Sequence, residues 1–350
     1  MNSQDQEKAM REAYGKAVAS GKRALNAENC FAPSGSCSGK IIRAHTISKC
    51  HGLRRIAKGG EVYQVKADPF AERYDELMRM SRKGVSAVST FRGFCARHDA
   101  EIFDPIENHE FAMTKEQTFL LMFRTVAKEL FLKQIQQEAI AQVMELEAAK
   151  AGVSVDQVRP TSFGQIYEYG VGLGVDELHA DKKRMDRMLV ARDFSEIECC
   201  VVRCGRTPSL VCSGYYSPFF DFAGNRLQKD FQILRKLNGL YCNIIAKNRG
   251  GWIILAYFKD EADGPEQLIR SLLSTGQPDA AAAWLAMVHF ENSAYEIDWW
   301  DALPDEVGKQ ILTTFREVAN PLSPVENQLR RMVLQGFVNW EPGPAKWLTD

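Results

Sequence analysis

Apolar positions recur at different periods along this chain, and the changes of period divide it. Residues 3 to 26 place Met10, Tyr14, Ala17 and Val18 at helical spacing, with Gly21 weakening the last turn. The spacing predicts a helix that docks on the segment after it. Ile41 to Thr46 and Val62 to Val65 are short β-branched runs, predicted to pair as a hairpin. Asp68-Pro69 predicts a helix start, a carboxylate capping free amides beside a proline set for the first turn. Arg79, Arg82 and Lys83 suit the negative end of that helix, and a Ser/Thr-rich loop from Gly84 to Gly93 follows. The short helix beginning at Phe94-Cys95 is expected to stop at Asp104-Pro105.

Thr114-x-x-Gln117 is a capping-box pattern. From Phe119 through Met122, Val126, Leu130, Ile135, Ala139 and Val143 to Leu146 the period stays near 3.6, up to Gly152. At ~1.5 Å per residue this predicts a helix on the order of 50 Å long, its stripe a core face. Residues 160 to 190 continue helical, with a break expected at Gly170, Gly172 and Gly174. Strand texture then begins, over 197 to 204, 209 to 215, 241 to 247 and 252 to 258. Asn248-Arg249-Gly250-Gly251 is a hairpin signal that makes the last two antiparallel. Helical patterns return over 264 to 291 and 304 to 336, with Trp299-Trp300 between them read as packing. The expected class is α+β: an N-terminal helix (1–27), a compact unit (28–110), a helical segment (111–193) and an antiparallel-sheet α+β domain (194–350).

With 350 residues, 45% hydrophobic and 25% charged, the chain can bury a sizeable core. Its longest apolar runs, such as 251 to 258, are too short to span a membrane, and the first seven residues are too polar for a signal peptide. A cytoplasmic protein with no membrane partner is the expectation. Nine cysteines, odd in number and irregularly spaced, argue against a disulfide framework. Four of them, Cys199, Cys200, Cys204 and Cys212, fall in strands without a CxxC or a His beside them, which predicts core packing. The net charge of −1 is uninformative, but its distribution is not: Lys40 to Arg97 holds thirteen Lys and Arg against five Asp and Glu. A local cationic excess of this kind suits a polyanion.

That basic stretch is bracketed by candidate metal ligands. Cys30-x6-Cys37 and Cys95-x2-His98 together give four N/S ligands, the set a tetrahedral structural zinc requires, and ligands one turn apart at a helix start can reach one ion. Cys50 and His51 lie near enough in sequence to substitute. Between the half-sites a strand-like run carries His45. Residues 28 to 108 thereby resemble the ββα-metal unit of HNH endonucleases, in which a zinc knuckle, a His-bearing strand and a second knuckle opening a helix form one body.

The resemblance implies a zinc-stabilised ββα-metal (HNH-like) unit that hydrolyses phosphodiester bonds of DNA, or of RNA, with His45 as general base. It implies structural Zn2+ on Cys30, Cys37, Cys95 and His98, and a catalytic Mg2+ or Mn2+. Ala44 stands where many family members carry a metal-ligating Asp or His, and Asp99 replaces a ligating His, an oxygen donor suited to a hard cation. The family's Asn has no counterpart identifiable by spacing. Arg43, Lys49, Arg54, Arg55 and Arg97 are the candidate phosphate contacts, and the C-terminal domain is expected to meet a protein partner or regulate access. The alternative is a catalytically silent zinc module for nucleic acid or protein, with Ala44 marking the lost metal site.

Overall fold

The computed structural model describes residues 3–24, 30–33, 37, 39–50, 52–68, 71, 73–158, 169–228, 236–320, 323–329 and 332–348. In chain order the elements are α1 (Ser3–Ala24), β1 (Ala44–His45), β2 (Glu61–Ala67), β3 (Met78–Gly84), β4 (Thr90–Phe91), α2 (Ala96–Glu107), α3 (Lys115–Ala151), α4 (Val155–Val158) and α5 (Tyr169–Ala191). Then follow β5 (Ile197–Cys204), β6 (Leu210–Tyr216), β7 (Leu240–Lys247), β8 (Gly250–Phe258), α6 (Pro265–Ser274), α7 (Pro278–His289), β9 (Ser293–Tyr295), α8 (Ile297–Asp301), α9 (Asp305–Ala319) and β10 (Pro342–Trp347). The class is α+β, with an antiparallel sheet of eight strands in the order β10-β5-β8-β7-β6-β9-β2-β3 and a separate two-stranded pair, β1 with β4.

The large sheet is covered on both faces, which is why its strands read as near-continuous apolar runs. Side chains alternate across a strand, so Cys199 and Val201 join the core under α3 and α5. Their neighbours Cys200, Val202 and Cys204 join the core under α6, α7 and α9. All four cysteines expected to pack in the core are buried, as is Cys242. The β7–β8 hairpin turns between Lys247 and Gly250, where Gly250 takes φ +105, a left-handed region that favours glycine.

Helix α3 runs from its cap at Thr114, whose hydroxyl accepts from Gln117 N at 3.2 Å, to Gly152 in the left-handed conformation. Its 37 residues span about 55 Å. From Gln117 to Lys128 every residue is buried, because the helix lies between the sheet and the segment of β1, β4 and α2, with α5 alongside. Helix α1 docks on this helix, where Ala17 packs against Ala139 and Val143.

Several expectations are corrected. The run 41 to 46 does not pair with 62 to 65. Instead Ala44 and His45 pair with Phe91 and Thr90, while β2 pairs with β3 in a hairpin registered Val62 to Lys83. Among the described residues from Asp68 to Lys83 the expected α-helix gives way to a 3-10 turn at Tyr74–Glu76 and to β3, which alternates at a period of two and pairs its full length with β2. Asp68 instead closes the hairpin, its backbone N donating to Leu77 O at 2.8 Å and its carboxylate 3.3 Å from Arg79. Pro69 lies outside the described residues. Tyr63 also pairs with Tyr295 of β9, so the segment inserted between the two half-sites extends the sheet built from the C-terminal half. Helix α2 continues through Pro105 to Glu107. Gly170, Gly172 and Gly174 lie inside α5 and make no break; at Gly174 an added Cβ would stand 3.4 Å from Lys133 of α3, so the helices approach closely there.

Candidate metal centre and the His45 pocket

The two half-sites meet through backbone pairing that the sequence spacing does not reveal. Phe31 N donates to Gly93 O at 2.7 Å, Ile42 N to Phe94 O at 2.9 Å, and Ile41 bridges Cys95. Gly93 allows this approach: a Cβ there would fall 2.3 Å from the Phe91 ring and 2.7 Å from the Phe31 ring. Phe94 anchors the junction, with Phe31, Phe91 and Phe103 edge-on to its ring. Cys95 is the N-cap of α2, so Cys95 and His98 stand one turn apart on the same side.

Cys30, Cys37, Cys95 and His98 converge, their ligand atoms all within 4.8 Å of one another. The sulfurs of Cys30 and Cys95 lie 3.4 Å from His98 Nδ1 and that of Cys37 lies 3.8 Å away. Cys95 and His98 are buried, Cys30 is half-buried and Cys37 is exposed. Burial pushes the Cys30 thiol up to about 11, although hydrogen bonds from the backbone of Cys95 and Ala32 pull the other way. Three thiols and an imidazole at these distances are a donor set that a metal ion such as zinc fits, and binding would convert the thiols to thiolates. Arg97 Nη2 donates to His98 Nε2 at 2.8 Å, which leaves the ring proton on Nδ1, facing the sulfurs. A metal on Nδ1 moves that proton to Nε2, so Arg97 must then turn aside, with Glu101 already 3.7 Å away. Cys50 is exposed and outside this group; His51 is outside the described residues.

His45, on β1, donates from Nε2 to Val85 O at 3.2 Å. That bond fixes the tautomer and leaves the lone pair on Nδ1. Burial lowers its pKa, the Val85 carbonyl and Glu107 oppose this, and Lys49 and Arg124 add to it, so the ring is neutral at pH 7. Asp99 stands in the first turn of α2, its Oδ1 buried and without a hydrogen-bond partner among the described residues. Burial raises its pKa, Arg124 lowers it, and Glu107 raises it.

The residue that organises this pocket is Arg124 of α3, whose side chain is 2% exposed. Its guanidinium pairs with Glu107, lies 3.9 Å from Asp99 and stacks on Phe103. Ser48 donates to the other Glu107 oxygen at 2.9 Å. Beyond this cluster a small cavity of about 20 Å³, room for roughly one water, lies between Thr46 and Ser48 and the sheet residues Asn243 and Lys247. The sequence reading missed Ser48, Glu107 and Arg124. An arginine inside the apolar run from Phe119 to Leu130 was the available signal, since a buried guanidinium requires acidic partners.

The guanidinium of Arg124 already stands between Asp99 and Glu107, and among the described residues neither His45 nor Asp99 belongs to a group of three potential ligands. The cations of the insert are also sorted by the fold. Lys58 pairs with Asp298 at 2.5 Å, Arg82 with Asp301 at 3.6 Å and Arg79 with Asp68. Arg55 donates to Cys50 O at 3.0 Å and to Asn248. Arg43, Lys49 and Arg54 have no carboxylate partner among the described residues, and all three flank β1 and the turn after it.

No protein-family model, curated protein or solved structure matches the chain. No described helix is long and apolar enough to cross a membrane.

Proposed function

We propose that the segment from Cys30 to Glu107 is a zinc-stabilised unit that cleaves phosphodiester bonds of nucleic acid at His45. The observation that carries this reading is the Val85 carbonyl on His45 Nε2. It places the proton on Nε2 and so leaves the Nδ1 lone pair to accept one, as a general base requires. Cys30, Cys37, Cys95 and His98 would hold the zinc, which supplies no chemistry to the reaction and ties the strand of His45 to α2. Arg43, Lys49 and Arg54 would bind phosphates on either side of His45, neutralising charge that grows as the bond breaks.

The test is cleavage of labelled DNA and RNA by the zinc-loaded full chain, with and without added Mg or Mn, beside His45→Ala. Loss of the general base should slow cleavage by about 10²- to 10⁴-fold. Equal cleavage by both proteins would move the active site elsewhere. A second reading, a catalytically silent zinc module that binds nucleic acid or protein, is favoured by the positive charge of Arg124 lying 3.9 Å from Asp99, the candidate cation ligand. Binding without cleavage under every condition would select it.

A further inference from the structure

The pocket beside His45 contains a cation that is part of the protein. Arg124 is held by Glu107 and by the face of Phe103, with the guanidinium carbon 4.0 Å from the ring centroid, and Asp99 lies 3.9 Å away. A side chain so confined is not displaced by a weakly held, strongly hydrated divalent ion. Magnesium or manganese bound there would have to take Glu107 from a buried guanidinium and lie next to its positive charge, which stands 3.9 Å from Asp99.

Without such an ion, water is a poor nucleophile toward a DNA phosphodiester, because a metal normally both generates the hydroxide and stabilises the leaving oxygen. RNA differs in carrying its own nucleophile. Its 2′-hydroxyl is tethered next to the phosphorus, and an intramolecular attack of this kind gains what a bimolecular one lacks. The groups this reaction needs are a neutral imidazole and fixed cations, and the rim of β1 offers both in His45, Arg43 and Lys49.

Building on the phosphodiester reading above, we propose that Arg124 is the resident cation of this site, that the reaction requires no divalent ion, and that the substrate is RNA. His45 Nδ1 takes the proton of the 2′-hydroxyl as the O2′–P bond forms. The P–O5′ bond breaks, and the departing O5′ takes a proton from water. The hydroxide left behind is neutralised by the proton that the His45 imidazolium then gives up, so no atom is gained or lost. The products are a 2′,3′-cyclic phosphate and a 5′-hydroxyl.

The experiment uses the zinc-loaded full chain freed of Mg and Mn, with a single-stranded RNA, the same RNA 2′-O-methylated throughout, and the corresponding DNA. RNA cleavage without added divalent ion is expected, with cyclic phosphate termini, no cleavage of the methylated RNA or the DNA, and a loss of about 100-fold or more in His45→Ala prepared identically. Cleavage that depends on Mg or Mn, or that proceeds on DNA or methylated RNA, would overturn the inference and leave the nuclease reading standing. No cleavage of any substrate, with or without the ions, would remove both.

Discussion

Arg124 of α3 lies flat over Phe103 of α2, and this contact joins the metal-ligand unit to the long central helix. The same guanidinium pairs with Glu107 and lies 3.9 Å from Asp99. Replacing it by Met, which keeps the stem, would leave two half-buried carboxylates without their cation. Arg124→Met is therefore expected to lower stability by about 3–5 kcal/mol, read from urea unfolding. A change below about 1 kcal/mol would mean that water reaches these carboxylates freely.

The metal centre makes a compositional claim. Purified protein should contain about one zinc per chain, and Cys95→Ser should lose it, because Cys95 contributes the buried thiolate at the helix start. Cys50→Ser, outside the cluster, should retain it. Elemental analysis of the three proteins decides, and fully folded wild-type protein free of metal would sink the assignment.

Binding of polyanions should follow which cations the fold leaves available. Changing Arg43, Lys49 or Arg54 to Glu should weaken RNA binding at low salt and flatten the dependence of log affinity on log salt by about one unit per cation removed. Lys58 and Arg82 are engaged by Asp298 and Asp301, so their substitution should change binding much less. Equal losses at all five positions would mean that the insert binds as an undifferentiated charged surface.

Two half-buried groups on either side of the sheet oppose each other in acid. His289, stacked on Tyr216, is pushed down to about 4 by burial, so its contribution is present above the ordinary imidazole value and is lost as pH falls toward 4. Glu129 is pushed up to about 7, first by burial and then by Glu291, against Lys128 and Lys133. Its contribution is full below the ordinary carboxylate value and is lost as pH rises toward 7. Between pH 4.5 and 6.5, therefore, His289→Phe should make stability fall more steeply with rising pH, and Glu129→Gln should make it rise. Melting temperatures across that window, with slopes unchanged by either substitution, would contradict both assignments.

Much of the fold was readable because its periodic elements are long or covered on both faces. The capping box at Thr114, the stripe from Phe119 to Leu146 and the four strands from Ile197 to Phe258 all reached the length at which burial forces a pattern. Errors clustered where pairing is non-local. The segment from Asp68 to Lys83 carries helix-cap chemistry, yet β2 lay close enough to claim it as a strand. Two-residue strands such as β1 leave almost no periodic trace, so their partners at Thr90 and Phe91 could not be found from spacing.

The ligand types Cys30, Cys37, Cys95 and His98, the imidazole of His45 and the cationic excess of the insert belong to the sequence, since residue chemistry does not wait for folding. Whether four ligands share one point was decided only by the backbone bonds that bring Phe31 to Gly93 and Ile42 to Phe94. Which cations remain for a partner was likewise settled by carboxylates far along the chain, at Asp298 and Asp301. Most consequential is the placing of Arg124 between Asp99 and Glu107: a charge's effect depends on its distance from other charges and on the water excluded between them, and no one-dimensional spacing encodes either.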